Sequence, residues 1–165
     1  MVLSLPTLAF HEALGSRFKC SGLEFLDVGC PLDFLGFTIT KEVVDDSVSI
    51  YMDQGDAMQE FLSEFEFSAL QHKESPMPSK ALFDSDSTPL GAQDQAVYRH
   101  AVGCLNHFAK VTRYDIGFPV SRLSRKMASA DRGAWKGLMH VLGYLAGSVG
   151  FRIGGLVSGS FSLLR

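Results

Sequence analysis

Cysteine is scarce in this sequence, which has three such residues among 165, namely Cys20, Cys30 and Cys104. Their number is odd, and no two of them have the C-x-x-C spacing that is typical of a structural zinc site. Both observations argue against a disulfide framework and against a metal-stabilised fold. The sequence therefore predicts a reduced, intracellular compartment, either cytoplasmic or nuclear.

A long hydrophobic run is also missing at the start of the chain. The apolar stretch within Met1–Phe10 is short, Pro6 interrupts it, and no Lys or Arg precedes it. A secretory signal needs a basic start followed by an apolar segment, and a membrane helix needs about 20 apolar residues. We therefore expect neither export nor a membrane partner.

The common catalytic motifs are absent as well. The sequence has no G-x-S-x-G, no H-E-x-x-H and no Gly-rich phosphate loop, so an independent hydrolase is a poor interpretation. His100 and His107 share one face of a predicted helix, but we find no Cys or carboxylate at ligand spacing beside them. We predict no catalytic residue, metal site or cofactor in this chain.

Charge is distributed very unevenly, although hydrophobic residues make up 46% and charged residues 20%, as in an ordinary folded protein. Residues 1–95 contain 5 Lys and Arg against 16 Asp and Glu, whereas residues 96–165 contain 10 against 2. A basic segment of this kind is typical of polyanion binding. Acidic and basic halves that pack against each other would have the same composition, so charge alone leaves both interpretations open.

The N-terminal part of the chain predicts a helix and a β-hairpin. Apolar spacing favours a short amphipathic helix over Thr7–Phe18, after Pro6. Leu32–Ile39 and Val48–Met52 are typical of two paired strands, with Asp45 and Asp46 as turn residues between them. In the first strand, Gly36 would permit a close backbone approach.

Four helices are predicted after the hairpin. The first is an amphipathic helix over Asp53–Phe65, with Asp53 as its N-cap, and a surface connection over Ser68–Gln93 follows it. The next helix covers Gln95–Lys110. The last two have Asp115 and Asp131 as expected N-caps, and they begin near 115–118 and after 131. Pro119 is acceptable only in the first turn of its helix, which we expect to run to about residue 127.

The predicted fold class is α+β: an N-terminal helix and β-hairpin, then an amphipathic helix and a three-helix bundle. The predicted organisation has four parts. These are a helix, hairpin and helix segment at 1–67, a linker at 68–93, a basic three-helix segment at 94–155, and an irregular tail at 156–165.

Residues at fixed offsets between Tyr98 and Gly147 resemble the region that follows the polymerase centre in copia-type retrotransposon reverse transcriptases. Pro31–Ile39 is similar to the Phe-Leu-Gly strand of that family, so the resemblance covers about the first 150 residues. Matches spread over three elements are more specific than one short motif. The matching residues are Tyr98, Arg99, Val102, Gly103, Leu105, Thr112, Arg113, Asp115, Ile116, Ser121, Leu123, Ser124, Arg125, Trp135, Lys136, Val141, Leu142, Tyr144, Leu145 and Gly147.

This resemblance implies the end of the palm, the thumb and the connection of a Pol polyprotein. Basic side chains of the helices would then contact the phosphates of a template-primer duplex, which gives position rather than sequence readout. We favour phosphate contact for Arg125 and Lys126, a structural role in bonding helix carbonyls for Arg113, and a core position for Trp135. The implied nucleic-acid-binding residues are Arg99, Arg113, Arg122, Arg125, Lys126 and Lys136.

The sequence departs from the family pattern at the catalytic positions. The family holds Mg²⁺ with carboxylates that include a Tyr-x-Asp-Asp hairpin, and no such hairpin precedes His11. Tyr51-Met52-Asp53-Gln54 is similar to it but follows the Phe-Leu-Gly strand, so we interpret Asp53 as a helix cap. The ribonuclease H carboxylate expected near the end is also absent. The third helix has Met139, His140, Gly143 and Ala146 where further Lys or Arg residues are usual in the family.

The resulting hypothesis is a fragment of an RNA-directed DNA polymerase that is inactive alone. It would help to grip an RNA–DNA or DNA template-primer duplex beside the remainder of the polymerase, the palm and ribonuclease H. The alternative is a non-catalytic helical interaction module that binds an acidic protein partner.

Overall fold

The computed structural model describes residues 5–20, 22–44, 47–65, 70–77 and 86–157, and within them it has helices and one antiparallel sheet. The predicted α+β class is confirmed. The elements are α1 (Leu5–Gly15), β1 (Leu32–Phe34), β2 (Phe37–Val44), β3 (Ser47–Asp53), α2 (Gly55–Ser63), α3 (Ala92–Val111), a 3₁₀ turn (Tyr114–Ile116), α4 (Gly117–Ser124), α5 (Arg132–Gly147) and β4 (Ile153–Val157).

The sheet has four strands in the order β1-β2-β3-β4, each antiparallel to its neighbour. Ile39 pairs with Met52 between β2 and β3, so the predicted contact between the two apolar runs is present. The strand-like start near Phe151 continues as β4 to Val157, where Met52 pairs with Ile153. Asp45 and Asp46, the predicted turn residues, lie outside the described residues, as do residues 158–165 of the predicted tail.

Leu32–Ile39 is a tight hairpin rather than the single strand that the sequence predicted. The chain reverses at Leu35 and Gly36, whose φ angles are 51° and 81°. Two successive residues with positive φ are typical of a type I′ turn, whose twist matches that of paired strands. Glycine suits this position because a φ of 81° is rarely adopted by residues with a Cβ. A Cβ placed on Gly36 would meet no atom within 4 Å. The close approach expected at this glycine is wrong.

The predicted helices are all present, with shifted ends. α1 begins before Pro6 and ends at Gly15, and α2 begins after Gln54. The predicted N-cap role of Asp53 is wrong, because the N-cap of α2 is Gln54, but Asp53 Oδ1 accepts a hydrogen bond from the Gly55 N–H at 3.0 Å. Asp131 is the N-cap of α5, as predicted, and accepts from the Ala134 N–H at 2.8 Å.

The hydrophobic core is built mainly by helices. No sheet residue whose side chain the structure describes is buried, whereas α2, α3, α4 and α5 each bury an apolar face. No described helix is both long enough and apolar enough to cross a membrane. The core residues include Met58, Phe61, Leu62, Tyr98, Val102, Leu105, Phe108, Ile116, Val120, Leu123, Leu138, Val141, Leu142 and Leu145.

Part of the predicted surface connection crosses the outer side of α5. The Lys73 N–H donates to the Gly143 carbonyl at 3.4 Å, and His140 Nε2 lies 2.9 Å from the Ser75 carbonyl oxygen. A Cβ on Gly143 would collide with the Gln71 carbonyl, so only glycine admits the segment at this distance. Gly143 therefore has a packing function that offsets its low helix propensity.

Candidate nucleic-acid interface

Arg113 is one of the six residues that the resemblance implies as nucleic-acid-binding, and its side chain is buried. Its side chain is 1% exposed and lies where α3, the 3₁₀ turn and the end of α5 meet. Nη1 donates to the Ser148 carbonyl at 2.9 Å, and Nη2 donates to Ser148 Oγ at 2.7 Å. The guanidinium also lies 5.3 Å from the Phe151 ring centroid. Arg113 therefore has no exposed surface to offer a phosphate. Arg113 has a structural position, but the predicted bond to free carbonyls of the preceding helix is not the one observed, because the carbonyl belongs to Ser148, the C-cap of α5.

Asp115 completes this cluster. It accepts two hydrogen bonds from Arg113, at 3.0 Å from Nε and 2.7 Å from Nη2, and one from the Tyr144 hydroxyl at 2.7 Å. Burial alone would raise the pKa of Asp115, but the hydrogen bonds from Arg113 and Tyr144 outweigh it and hold the pKa below its usual value. The predicted N-cap role of Asp115 is wrong, because α4 begins at Gly117 and its N-cap is Ile116. The carboxylate neutralises a buried cation instead.

Arg99 lies on the edge of α3 that faces the end of α4. Gln95, one turn before it, donates from Nε2 to the Met127 carbonyl at 2.8 Å. Asn106, on the same helical face, donates from Nδ2 to Ser124 Oγ at 3.0 Å. The side chain of Arg99 is exposed between these two contacts. Arg99 therefore lies on the same side of the bundle as the turn that follows Ser124.

Arg125 and Lys126 form that turn, and both are exposed. Lys126 Nζ lies 2.8 Å from Asp131 Oδ2, and half of the Lys126 side chain remains accessible. An ammonium has three N–H donors, so Lys126 can bond a phosphate while it keeps Asp131. We name the exposed side chains of Arg99, Arg125 and Lys126 the basic edge. The fold brings these three together from two separate parts of the chain.

The two remaining residues of the predicted set lie elsewhere. Arg122 is half-buried in the last turn of α4, where a cation interacts favourably with the helix dipole. Lys136 is exposed on α5 and lines a cleft beside Trp135. Sequence reasoning omitted Lys110, which is exposed on α3 and lies on the helical face of Arg99. Its spacing of three turns from Arg99 is the signal that could have identified it.

The residues of the tetrad Tyr51–Gln54 are all held by structural contacts. Gly154 pairs with Tyr51, whose ring lies 4.0 Å from the Arg152 guanidinium carbon. Gln54 is buried and accepts from Thr112 Oγ1 at 2.8 Å. Among the described residues, no group of three or more His, Cys, Asp or Glu side chains is placed to hold a metal ion.

His100 has close polar neighbours that the sequence did not reveal. Its Nε2 lies 3.0 Å from Glu64 Oε2 and 3.9 Å from Cys104 Sγ. The expectation that neither a Cys nor a carboxylate lies near it is wrong, because Cys104 lies one turn later on α3 and the fold brings Glu64 at the end of α2 to α3. Both contacts are made by the same ring nitrogen, whereas a relay from thiol to carboxylate would need both nitrogens. Burial and the charge of Glu64 raise the pKa of Cys104, so this thiol is not activated as a nucleophile.

Several of the residues on which the family resemblance rests make hydrogen bonds between helices. The buried Tyr98 hydroxyl donates to the Leu123 carbonyl at 2.8 Å, and burial raises the pKa of Tyr98. Thr112, Arg113 and Tyr144 make the contacts given above. The matching positions thus include interhelical hydrogen bonds of the bundle. No protein-family model matches this chain, and no solved structure matches it significantly.

Proposed function

We propose that this chain is a non-catalytic part of a copia-type reverse transcriptase that helps to hold a template-primer duplex. The observation that carries the proposal is the basic edge, where Arg99 and Arg125 expose guanidinium groups on one side of the bundle. Guanidinium and ammonium groups that meet duplex phosphates release counterions, which favours binding without regard to base sequence. The spacing of the residues from Tyr98 to Gly147 supplies the assignment to this family.

The composition around the basic edge supports the same proposal. Residues 96–165 contain 2 acidic side chains, and both are paired, Asp115 with Arg113 and Asp131 with Lys126. The basic edge therefore keeps a positive potential, which attracts a polyanion. The magnesium ions of the intact enzyme would be held by carboxylates in the remainder of the polymerase, the palm. Ribonuclease H is the second partner within the polyprotein.

Binding of the purified chain to a fluorescently labelled RNA–DNA hybrid, at several salt concentrations, tests this proposal. We expect Arg99→Glu and Arg125→Glu each to weaken binding and to reduce the slope of log K against log salt by about 1. These two substitutions are easier to interpret than Lys126→Glu, which would also place a second carboxylate beside Asp131 and so disturb the folded chain. The matched control is Arg17→Glu, the same charge change on an exposed residue after α1. Equal effects of all three substitutions, or binding that does not respond to salt, would contradict the proposal.

A primer-extension assay with magnesium tests the non-catalytic part of the proposal. We expect no nucleotide incorporation by the purified chain. Incorporation that Asp53→Asn abolishes would show that the chain has a polymerase centre of its own.

A helical interaction module that binds an acidic protein partner is the second candidate. One ion pair already joins the basic and acidic halves, Arg152 with Glu42 at 2.5 Å, and His100 Nε2 lies within hydrogen-bond distance of Glu64 Oε2 at 3.0 Å. Basic side chains of this protein therefore do bind carboxylates. Competition between the hybrid and a polyglutamate peptide separates the two candidates, because a duplex-binding edge should prefer the hybrid at equal charge concentration.

A further inference from the structure

A cleft of about 340 Å³ lies between α5 and the segment that crosses it. Trp135, Met139 and Leu70 supply its apolar surface, and all three are partly buried against the core. Lys136 from α5 and Lys73 from the crossing segment contribute the cations. The volume is at the lower end of the range of about 300–1000 Å³ that is usual for small-molecule sites.

The walls of the cleft are fixed to each other by backbone contacts. The Lys73 N–H donates to the Gly143 carbonyl, and the absent side chain of Gly143 lets the Gln71 carbonyl approach α5. His140 binds the Ser75 carbonyl one turn away, which holds the far end of the segment. The shape of the cleft is therefore set by backbone contacts between α5 and the crossing segment, and not by the position of a single exposed side chain.

The chemistry of the lining identifies the kind of molecule that fits. An indole face and a thioether favour a flat aromatic ring, because both are polarisable and present apolar surface. Two ammonium groups favour an anion, and none of the described residues that line the cleft is acidic. Asp86 interacts with Lys136 through its charge, but its carboxylate accepts from the Thr88 N–H at 3.0 Å and does not line the cleft. Gln71 can bond the polar edge of a ring.

We propose that this cleft binds a nucleoside monophosphate, with the base stacked on Trp135 and Met139 and the phosphate between Lys73 and Lys136. Stacking on an aromatic side chain contributes about 1–3 kcal/mol for each base. The cleft lies on the outer side of α5, and the basic edge lies where α3 meets the end of α4. The proposal therefore goes beyond duplex binding and does not depend on it.

Fluorescence tests this site directly, because Trp135 is the only tryptophan in the sequence. Titration of the full chain with adenosine monophosphate should quench the Trp135 emission and reach saturation. Lys73→Gln and Lys136→Gln should each weaken the apparent affinity about tenfold, the loss expected for one charge-assisted contact to phosphate. Lys110→Gln removes an exposed ammonium on α3 and is the matched control, which should leave the titration unchanged.

Two further measurements keep the result unambiguous. Adenosine without phosphate should bind more weakly than the monophosphate, and Arg125→Glu should leave the quenching unchanged even where it weakens duplex binding. Circular dichroism of each variant shows that its helices remain folded. Quenching that does not saturate, equal affinity for adenosine and its monophosphate, or Lys variants that match the unsubstituted chain would each overturn the proposal.

Discussion

At the scale of single residues, a buried cation organises the junction of three elements. Arg113 bonds both Asp115 and the C-cap Ser148, and its guanidinium carbon lies 5.5 Å and 5.3 Å from the ring centroids of Tyr144 and Phe151. A guanidinium suits this position because its planar fork can serve a carboxylate and a carbonyl at once. This arrangement explains why Arg113 cannot belong to a surface that binds phosphates.

Replacing Arg113 should lower the free energy of unfolding far more than replacing an exposed arginine. Arg113→Met leaves Asp115 without its cation and the Ser148 carbonyl without its donor, so we expect a loss of about 3 kcal/mol in urea denaturation. The matched control is Arg125→Met on the surface, which should change the value by less than about 0.5 kcal/mol. Similar losses for the two variants would contradict the structural role of Arg113.

Asp115 predicts an acid-dependent loss of stability. The pKa of Asp115 is lower in the folded chain than its usual value, because Arg113 and Tyr144 donate hydrogen bonds to the carboxylate, so the folded state favours the ionised form. The contribution is therefore fully present above the unfolded pKa of about 3.9 and is lost as the pH falls from there through the lower folded pKa. We expect Asp115→Asn to be less stable near neutral pH and to lose less stability on acidification.

Urea unfolding at a series of pH values measures this effect. Asp131, whose pKa is also lowered, remains in the variant, so the acid loss should shrink but not disappear. A pH profile of Asp115→Asn that runs parallel to that of the unsubstituted chain would show that this carboxylate is not coupled to folding.

At the scale of elements, a glycine within α3 and a glycine within α5 have opposite expected effects on stability. Gly103 is exposed within α3, and a Cβ there would meet no atom within 4 Å. Gly143 is buried in α5 under the Gln71 carbonyl. Sequence propensity assigns both glycines a similar cost in helix stability, so only the packing distinguishes them.

Substitution of these two glycines by alanine should therefore have effects of opposite sign. Gly103→Ala should stabilise the chain by about 0.5–1 kcal/mol, because alanine restricts the unfolded chain and favours the helix. Gly143→Ala should destabilise it by about 1–3 kcal/mol, since the new methyl group forces the crossing segment away from α5. Thermal unfolding of the two variants measures both changes. Stabilisation by both would show that the segment does not pack on α5 in solution.

At the scale of the whole molecule, the helical core and the sheet differ in how much surface they bury. The core is formed by α2 to α5, while the sheet and α1 retain exposed apolar side chains. Exposed hydrophobic residues are concentrated in the first part of the chain and include Phe10, Phe18, Phe25, Phe34, Leu35, Val43, Val44 and Ile50. Hydrophobic burial, the main favourable contribution to folding, is therefore unevenly distributed.

Hydrogen exchange should reproduce this division. We expect the amides of α3 and α5 to exchange most slowly, those of β2 and β3 at an intermediate rate, and those of α1 fastest. The order follows from burial, since α1 buries no residue whose side chain the structure describes, whereas α3 and α5 each have at least seven buried residues. Mass spectrometry after brief labelling measures it. Sheet amides as slow as those of α5 would show that the sheet is stabilised by something other than the described packing.

Only part of the candidate site could be derived from the sequence. Helical periodicity identified the apolar faces of α3 and α5, and the chemistry of Asp131 identified a cap, because both depend on neighbours a few residues away. Local patterns could not predict that Arg99 and Arg125 lie on the same side of the bundle. That arrangement depends on hydrogen bonds from Gln95 and Asn106 of α3 to residues at and just after the end of α4. The burial of Arg113 depends on Ser148, and the pairing of Asp115 depends partly on Tyr144, both far along the chain.

The sequence by itself determined the fold class, the positions of the helices and the basic character of residues 96–165. Local propensity, periodicity and composition contain that information. Only the tertiary structure decided that Leu35 and Gly36 turn the chain, that Gly143 admits a crossing segment, and which cations remain exposed. These outcomes depend on contacts between residues distant in sequence, where burial and hydrogen bonding assign different roles to side chains of the same chemical type.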